Sequence, residues 1–115
     1  MTDGERWVVV DVEATCWHAE EHPALAADQG NETEVIEIGA VRLDPVGAPL
    51  GEPFLARIRP RRHPQLSAFC TALTGLTQAD VDAAARFPAV LAALFDWAGG
   101  DEGLVLAAWG GFDDR

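Results

Sequence analysis

Trp7-Val8-Val9-Val10 runs without a polar residue straight into Asp11-Val12-Glu13. An unbroken run of β-branched residues reads as a strand buried on both faces, and so as a central strand with neighbours on either side. Side chains alternate along a strand, so Asp11 and Glu13, two apart, project the same way where it leaves the sheet. Two anions held that close repel, which raises one pKa unless a cation lies between them. Carboxylate oxygens in such a place suit Mg²⁺ or Mn²⁺. In a chain with 19 acidic residues, a lone D-x-E also reads as an acidic strand end facing water.

The remaining segments supply the neighbours. Residues 14–33 read as a long irregular surface excursion, with Pro23, Gly30 and Asn31 along it. A second strand is expected over 35–43 and a third over 54–58, joined by Asp44-Pro45-Val46-Gly47 as an antiparallel hairpin with a loose connection. A short helix over 66–73 is ended by Gly75. Thr77-Gln78-Ala79-Asp80 has the pattern of a capping box and opens a second helix over 80–85. Pro88 suits the first turn of a third, in which Phe87, Val90, Leu91, Leu94 and Phe95 form one apolar stripe until Gly99-Gly100 stops it. A last apolar strand follows over 104–109. The pattern is that of an α/β domain with a mixed sheet. If the last strand runs parallel to the first and beside it, Asp113 emerges at the same sheet edge as Asp11 and Glu13.

Composition narrows the partners. At 115 residues, 49% hydrophobic and 23% charged, the chain is one globular domain. No apolar run approaches the ~20 residues of a membrane span, and the first six residues lack the basic start of a signal peptide. Cys16 and Cys70 have no metal-knuckle spacing, so reduced thiols and a cytoplasmic location are expected. A net charge of −11 argues against broad, salt-driven binding to nucleic acid. All basic residues are arginine, however, and four of the eight fall in Arg57-Ile58-Arg59-Pro60-Arg61-Arg62. That strip fits either a phosphate track or a solvated loop.

Four segments carry a family likeness: Val10-Asp11-Val12-Glu13-Ala14-Thr15-Cys16, Glu34-Val35-Ile36-Glu37-Ile38-Gly39-Ala40-Val41, the stretch from Leu66-Ser67-Ala68-Phe69-Cys70 to Leu73-Thr74-Gly75-Leu76-Thr77-Gln78, and Trp109-Gly110-Gly111-Phe112-Asp113. In order and spacing the chain resembles the DEDD (DnaQ-like) 3′→5′ exonucleases, which have a ribonuclease H-like fold. Within them it is similar to the DEDDh subgroup that holds the histone-mRNA 3′-end exonuclease and the bacterial KapD proteins.

The resemblance implies metal-dependent phosphodiester hydrolysis at the 3′ end of single-stranded RNA or DNA. Asp11 and Glu13 would be the first acidic pair and Asp113 the acid of the second motif. Together they would hold divalent ions, Mg²⁺ or Mn²⁺, which in the family activate a water and stabilise the leaving 3′-oxygen. Asp114 would be a solvated neighbour. Phe69 and Leu73 match positions that pack on the terminal base, and Phe112 a ring position beside the second-motif acid that can stack on the nucleotide. Backbone groups around Ala14 and Thr15 would hold the terminal sugar, a 2′-OH contact there favouring RNA. For Phe69, Leu73 and Phe112 the competing reading is ordinary core packing.

The family's third motif, a histidine followed five residues on by an aspartate, has no counterpart here, because the sequence ends two residues after Asp113. His18, His22 and His63 all precede the second motif. The 115 residues are therefore expected to be the N-terminal part of the exonuclease domain, with little or no activity alone, since loss of a general base removes ~10²–10⁴-fold in rate. The last strand would keep an apolar flank, to be covered by a missing C-terminal segment or by a second copy.

Two rivals stand beside this reading. His18-Ala19-Glu20-Glu21-His22 matches the zinc pattern H-x-x-E-H, which requires both histidines on one helical face. A non-catalytic domain would instead bind nucleic acid or protein through the same cleft, with the Arg57 to Arg62 strip on phosphates or on an acidic partner.

Overall fold

The structure is a computed structural model that describes residues 4–108. Its centre is a four-stranded sheet in the order β3-β2-β1-β4, made of β1 (Arg6–Ala14), β2 (Val35–Leu43), β3 (Pro49–Arg57) and β4 (Leu104–Ala108). As the valine run implies, β1 is internal. It pairs antiparallel with β2, from Val8 opposite Arg42 to Glu13 opposite Glu37, and parallel with β4, from Arg6 opposite Leu104 to Val10 opposite Ala108. β2 and β3 form the expected antiparallel hairpin. Asp44 shapes its turn by accepting from the N–H groups of Val46 and Ala48 at 3.0 and 2.9 Å.

Five helices decorate the sheet: α1 (Pro23–Ala27), α2 (Gln29–Glu32), α3 (Ala68–Thr74), α4 (Gln78–Asp82) and α5 (Phe87–Ala98). Local chemistry sets their ends. Ser67 accepts from the Cys70 N–H to open α3, and Gly75, at φ 79°, closes it in the left-handed region. Thr77 and Asp80 satisfy each other's backbone N–H groups in a complete capping box. Gly99, at φ 88°, ends α5. From α5, Val90, Leu94 and Ala98 are buried against Val8, Ile38, Ala40 and Ile58. Each buried Val or Leu there contributes ~1.5–3 kcal/mol. A second cluster joins Ile36 to Leu66, Cys70, Leu76 and Val81 under α3 and α4.

Several boundaries differ from expectation. Residues 14–33 are not irregular throughout, since Pro23 starts α1 and α2 follows. β3 begins five residues before Phe54, and its opening residues are exposed at the sheet edge, where Pro49 and Pro53 need no ladder partner. α3 starts at Ala68 because Ser67 is its cap, and α4 begins at Gln78, directly after Thr77. Val9 and Val10 are only half-buried: α5 covers one face of β1, and the described residues leave the other partly open. Phe87, placed on the apolar stripe, is 44% exposed at the first turn of α5.

Candidate active site

β1 continues through Ala14, so Asp11 and Glu13 sit within the strand. Val8, Val10 and Val12 pack with α5. Alternation therefore turns Asp11 and Glu13 together to the opposite face, Asp11 exposed and Glu13 half-buried. Gly39 stands opposite Asp11 and places no side chain beside that carboxylate. Glu13 faces Glu37, and the row continues to Arg57 on β3, whose Nε lies 3.4 Å from Glu37 Oε2. Arg57 Nη1 also lies 3.9 Å from Asp80. The ladder shifts register between Glu13 and Ala14, a bulge of the kind that re-aims a side chain beside a site.

Past the bulge the chain is clamped to its neighbours. The Thr15 N–H donates to the Glu34 carbonyl at 2.9 Å, and the Glu34 N–H donates to Thr15 Oγ1 at 2.9 Å. Thr15 is buried, with its N–H and hydroxyl both engaged by Glu34. The Ala14 carbonyl accepts from the Cys70 thiol at 3.8 Å, and the Cys16 carbonyl from Ser67 Oγ at 2.7 Å. These contacts seat α3 beside Glu13. On that helix Phe69 is half-buried and meets the His18 ring at 5.3 Å, while Leu73, one turn on, is 66% exposed. The Cys70 thiol is pulled down to about 7, first by the hydrogen bond from the Cys16 thiol, while burial and the charge of Glu13 push the other way.

The structure thus brings Asp11, Glu13, Ala14, Thr15, Phe69 and Leu73 into one region. β4 runs parallel to β1 as expected, and its last described residue, Ala108, stands beside Val10, just short of Asp11. Phe112, Asp113 and Asp114 lie outside the described residues. Glu37 and Cys70 were not anticipated as parts of this region. Glu37 was legible in principle, from counting the β1–β2 register back from the turn.

The donor set suits a divalent cation: two carboxylates on one strand face, with no cationic side chain opposite Asp11 or Glu13 in the β1–β2 register. Among the described residues no group of three or more His, Cys, Asp or Glu is arranged to hold a metal. The zinc pattern is not realised. His18 and His22 belong to the turn before α1, not to one helical face, with the His22 N–H bonded to the His18 carbonyl at 2.9 Å. No described helix is long and apolar enough to cross a membrane.

Comparison with known proteins agrees with this geometry. The chain is 36% identical over 90 residues to ERI1 exoribonuclease 2 of Mus musculus, covering 78% of this chain but 12% of that protein. It is 37% identical over 93 residues to 3′-5′ exoribonuclease 1 of Homo sapiens, covering 77% of this chain and 24% of the relative. The crystallographic nuclease domain of 3′hExo, a DEDDh family member bound to rAMP, superposes with a TM-score of 0.76 at 31% identity, over 97% of this chain and 55% of that one. The chain therefore spans a quarter or less of these curated relatives and about half of the solved nuclease domain. The family model described as RNase_T, exonuclease, matches residues 8–114, from the first turns of β1 through the second acidic motif, and the chain belongs to that exonuclease family.

Proposed function

We propose that these residues form the N-terminal part of a 3′→5′ exonuclease domain acting on the 3′ end of single-stranded RNA or DNA. Asp11, Glu13 and Asp113 would hold the divalent ions, Mg²⁺ or Mn²⁺. The observation that carries this reading is the shared face of Asp11 and Glu13 at the end of β1 toward which β4 leads. A bound ion would lower the pKa of water and offset charge on the leaving oxygen. The protein's own part is to aim the carboxylates from a rigid strand and to seat the terminal nucleotide. Phe69 and Leu73, one turn apart on α3, offer an apolar face to its base. The backbone groups of Ala14 and Thr15 not already engaged by Cys70 and Glu34 face its sugar. RNA is the favoured substrate, since the solved relative is bound to rAMP.

The sequence carries no His-x₄-Asp after Asp113, so the general base is not among these residues. Slow turnover by them alone is the expected result. A cytoplasmic, reducing setting fits the two free thiols. The apolar flank around Leu106, Leu91 and Phe87 would be covered by further chain of the domain or by a second copy, which light scattering distinguishes.

The test is binding of AMP and of single-stranded RNA with Mn²⁺ or with EDTA, alongside digestion of end-labelled RNA. Binding that requires Mn²⁺ and is lost in Asp11→Asn is expected. Metal-independent binding, unchanged in Asp11→Asn, would overturn the assignment and leave a non-catalytic binding domain.

A further inference from the structure

Five arginines surround the turn after β3 and the start of α5, and two of them are spent on acids. Arg57 is paired with Glu37 and Asp80, and Arg62 with Glu32 at 3.4 Å. The other three, Arg59, Arg61 and Arg86, line a single open cleft of about 530 Å³ together with Glu34, Phe87 and Pro88. None of the three lies within 4.0 Å of a carboxylate among the described residues. Arg86 spends Nη1 on the Pro60 carbonyl at 2.9 Å, which fixes its guanidinium at the wall.

A solvated loop leaves its backbone loose, and this one is tied down. The Glu34 carboxylate accepts the N–H groups of Arg61, Arg62 and His63 at 2.8, 2.5 and 3.2 Å. The Arg59 N–H donates to Ala85 at 2.9 Å. The arginines are thus held in place before any ligand arrives, which reduces the ordering cost of binding. They concentrate positive charge on a body whose net charge is −11. Phe87 adds an exposed ring at the rim of the same cleft.

We infer that this cleft binds a backbone phosphate of a single-stranded nucleic acid, with Arg59 and Arg61 on the phosphate and Phe87 beside a base. Guanidinium groups suit phosphate oxygens, and an exposed aromatic ring beside them suits a nucleobase rather than an acidic peptide. The inference rests on the exonuclease reading for what the strand is. Its position fits a strand whose 3′ end lies at Asp11 and Glu13. The Ile58 N–H bonds the Ile36 carbonyl, which sets Arg59 level with Val35, the register partner of Ala14. Two inter-strand spacings, ~10 Å, separate Arg59 from Ala14. Glu34 joins the two places, holding Thr15 with its backbone and the arginine turn with its carboxylate.

The experiment measures affinity of the chain for a fluorescent single-stranded RNA of about 10 nucleotides, and for AMP, across a salt series. Arg59→Gln with Arg61→Gln is expected to weaken the longer strand ~10-fold. It should also flatten the slope of log affinity against log salt by about 1.4, at ~0.7 per phosphate contact, and leave AMP binding unchanged. Both side chains are exposed, and an unchanged thermal melt confirms the fold of the variant. Equal affinity and slope in variant and parent would overturn the inference. So would an acidic peptide of matched charge that competes as well as the RNA. Loss of Mn²⁺-dependent AMP binding in Asp11→Asn reports on the exonuclease reading alone, so the two fail separately.

Discussion

Glu13 on β1 stands directly opposite Glu37 on β2, two carboxylates facing each other across an antiparallel pair. Like charges so placed destabilise a sheet by ~0.2–1 kcal/mol. Arg57 offsets part of this from the far side of Glu37, at 3.4 Å. Glu13→Gln is therefore expected to raise the stability of the metal-free protein by ~0.5 kcal/mol, even as it removes a proposed ligand. Urea unfolding with and without Mn²⁺ checks both halves. The parent gains stability with the ion, by the linkage between binding and folding, and the variant gains little. An equal Mn²⁺ response in both proteins would remove Glu13 from the metal site.

Arg6 closes the opposite end of the same strand. Its guanidinium donates to the Ala98 carbonyl in the last turn of α5, to Gly100 at 2.8 Å, and to Glu102 at 2.7 and 3.1 Å. These are carbonyls at and just past a helix C-terminus, where a cation is favoured by the helix dipole. Arg6→Met keeps much of the aliphatic stem and strands those carbonyls. The expected loss is ~2 kcal/mol in urea unfolding, with Arg6→Lys recovering only part because one ammonium cannot serve three carbonyls in a fork. A loss below the error of the extrapolation would show that water replaces the guanidinium without cost.

How much of this was legible depended on range. The valine run, the D-x-E pair, the Thr77 capping box and the closing glycines Gly75 and Gly99 were readable because each is set by residues within a few positions. α1 and α2, of five and four residues, are too short to show a helical period. The first half of β3 lies exposed along an edge and carries no alternation to mark it. Phe87 was read from periodicity as core, yet no described element covers its side of α5. The Glu13–Glu37 pairing and the arginine cleft depend on strand register and on the fold of the turn after β3. Sequence spacing alone does not supply either.

The turn that carries the arginines is also held by a titratable contact. Glu32 Oε2 lies 2.7 Å from His63 Nε2 and 3.4 Å from Arg62 Nη2, joining α2 to residues 59–63. The His63 hydrogen bond, more than Arg62, holds the Glu32 carboxyl below its ordinary value, with burial opposing. A folded-state pKa below the unfolded one gives stability that is complete above the unfolded value and is lost as pH falls through the folded value. Glu32→Gln is thus expected to be less stable than the parent near neutral pH, with the gap closing below the ordinary carboxyl value of 4.5. Urea midpoints measured down the acid range test this. A gap that stays constant with pH would mean that Glu32 acts by packing rather than by charge.

Cys16 and Cys70 give the sharpest titration. The Cys70 thiol lies at about 7 against an ordinary 9.0, and its largest cause is the hydrogen bond from the Cys16 thiol. Thr74 lowers it further, while burial and Glu13 raise it. Cys16→Ala removes the first cause and leaves the opposing ones, so the Cys70 midpoint is expected to move up toward 9.0. Thiolate absorbance against pH reads this directly. The sign for stability follows: the depressed pKa stabilises the parent relative to Cys16→Ala fully above pH 9.0, and that advantage disappears as pH falls through about 7. A Cys70 midpoint unmoved by Cys16→Ala would show that the Ala14 carbonyl, Thr74 and the helix hold the thiol by themselves, with Cys16 a bystander in the packing beside Glu13.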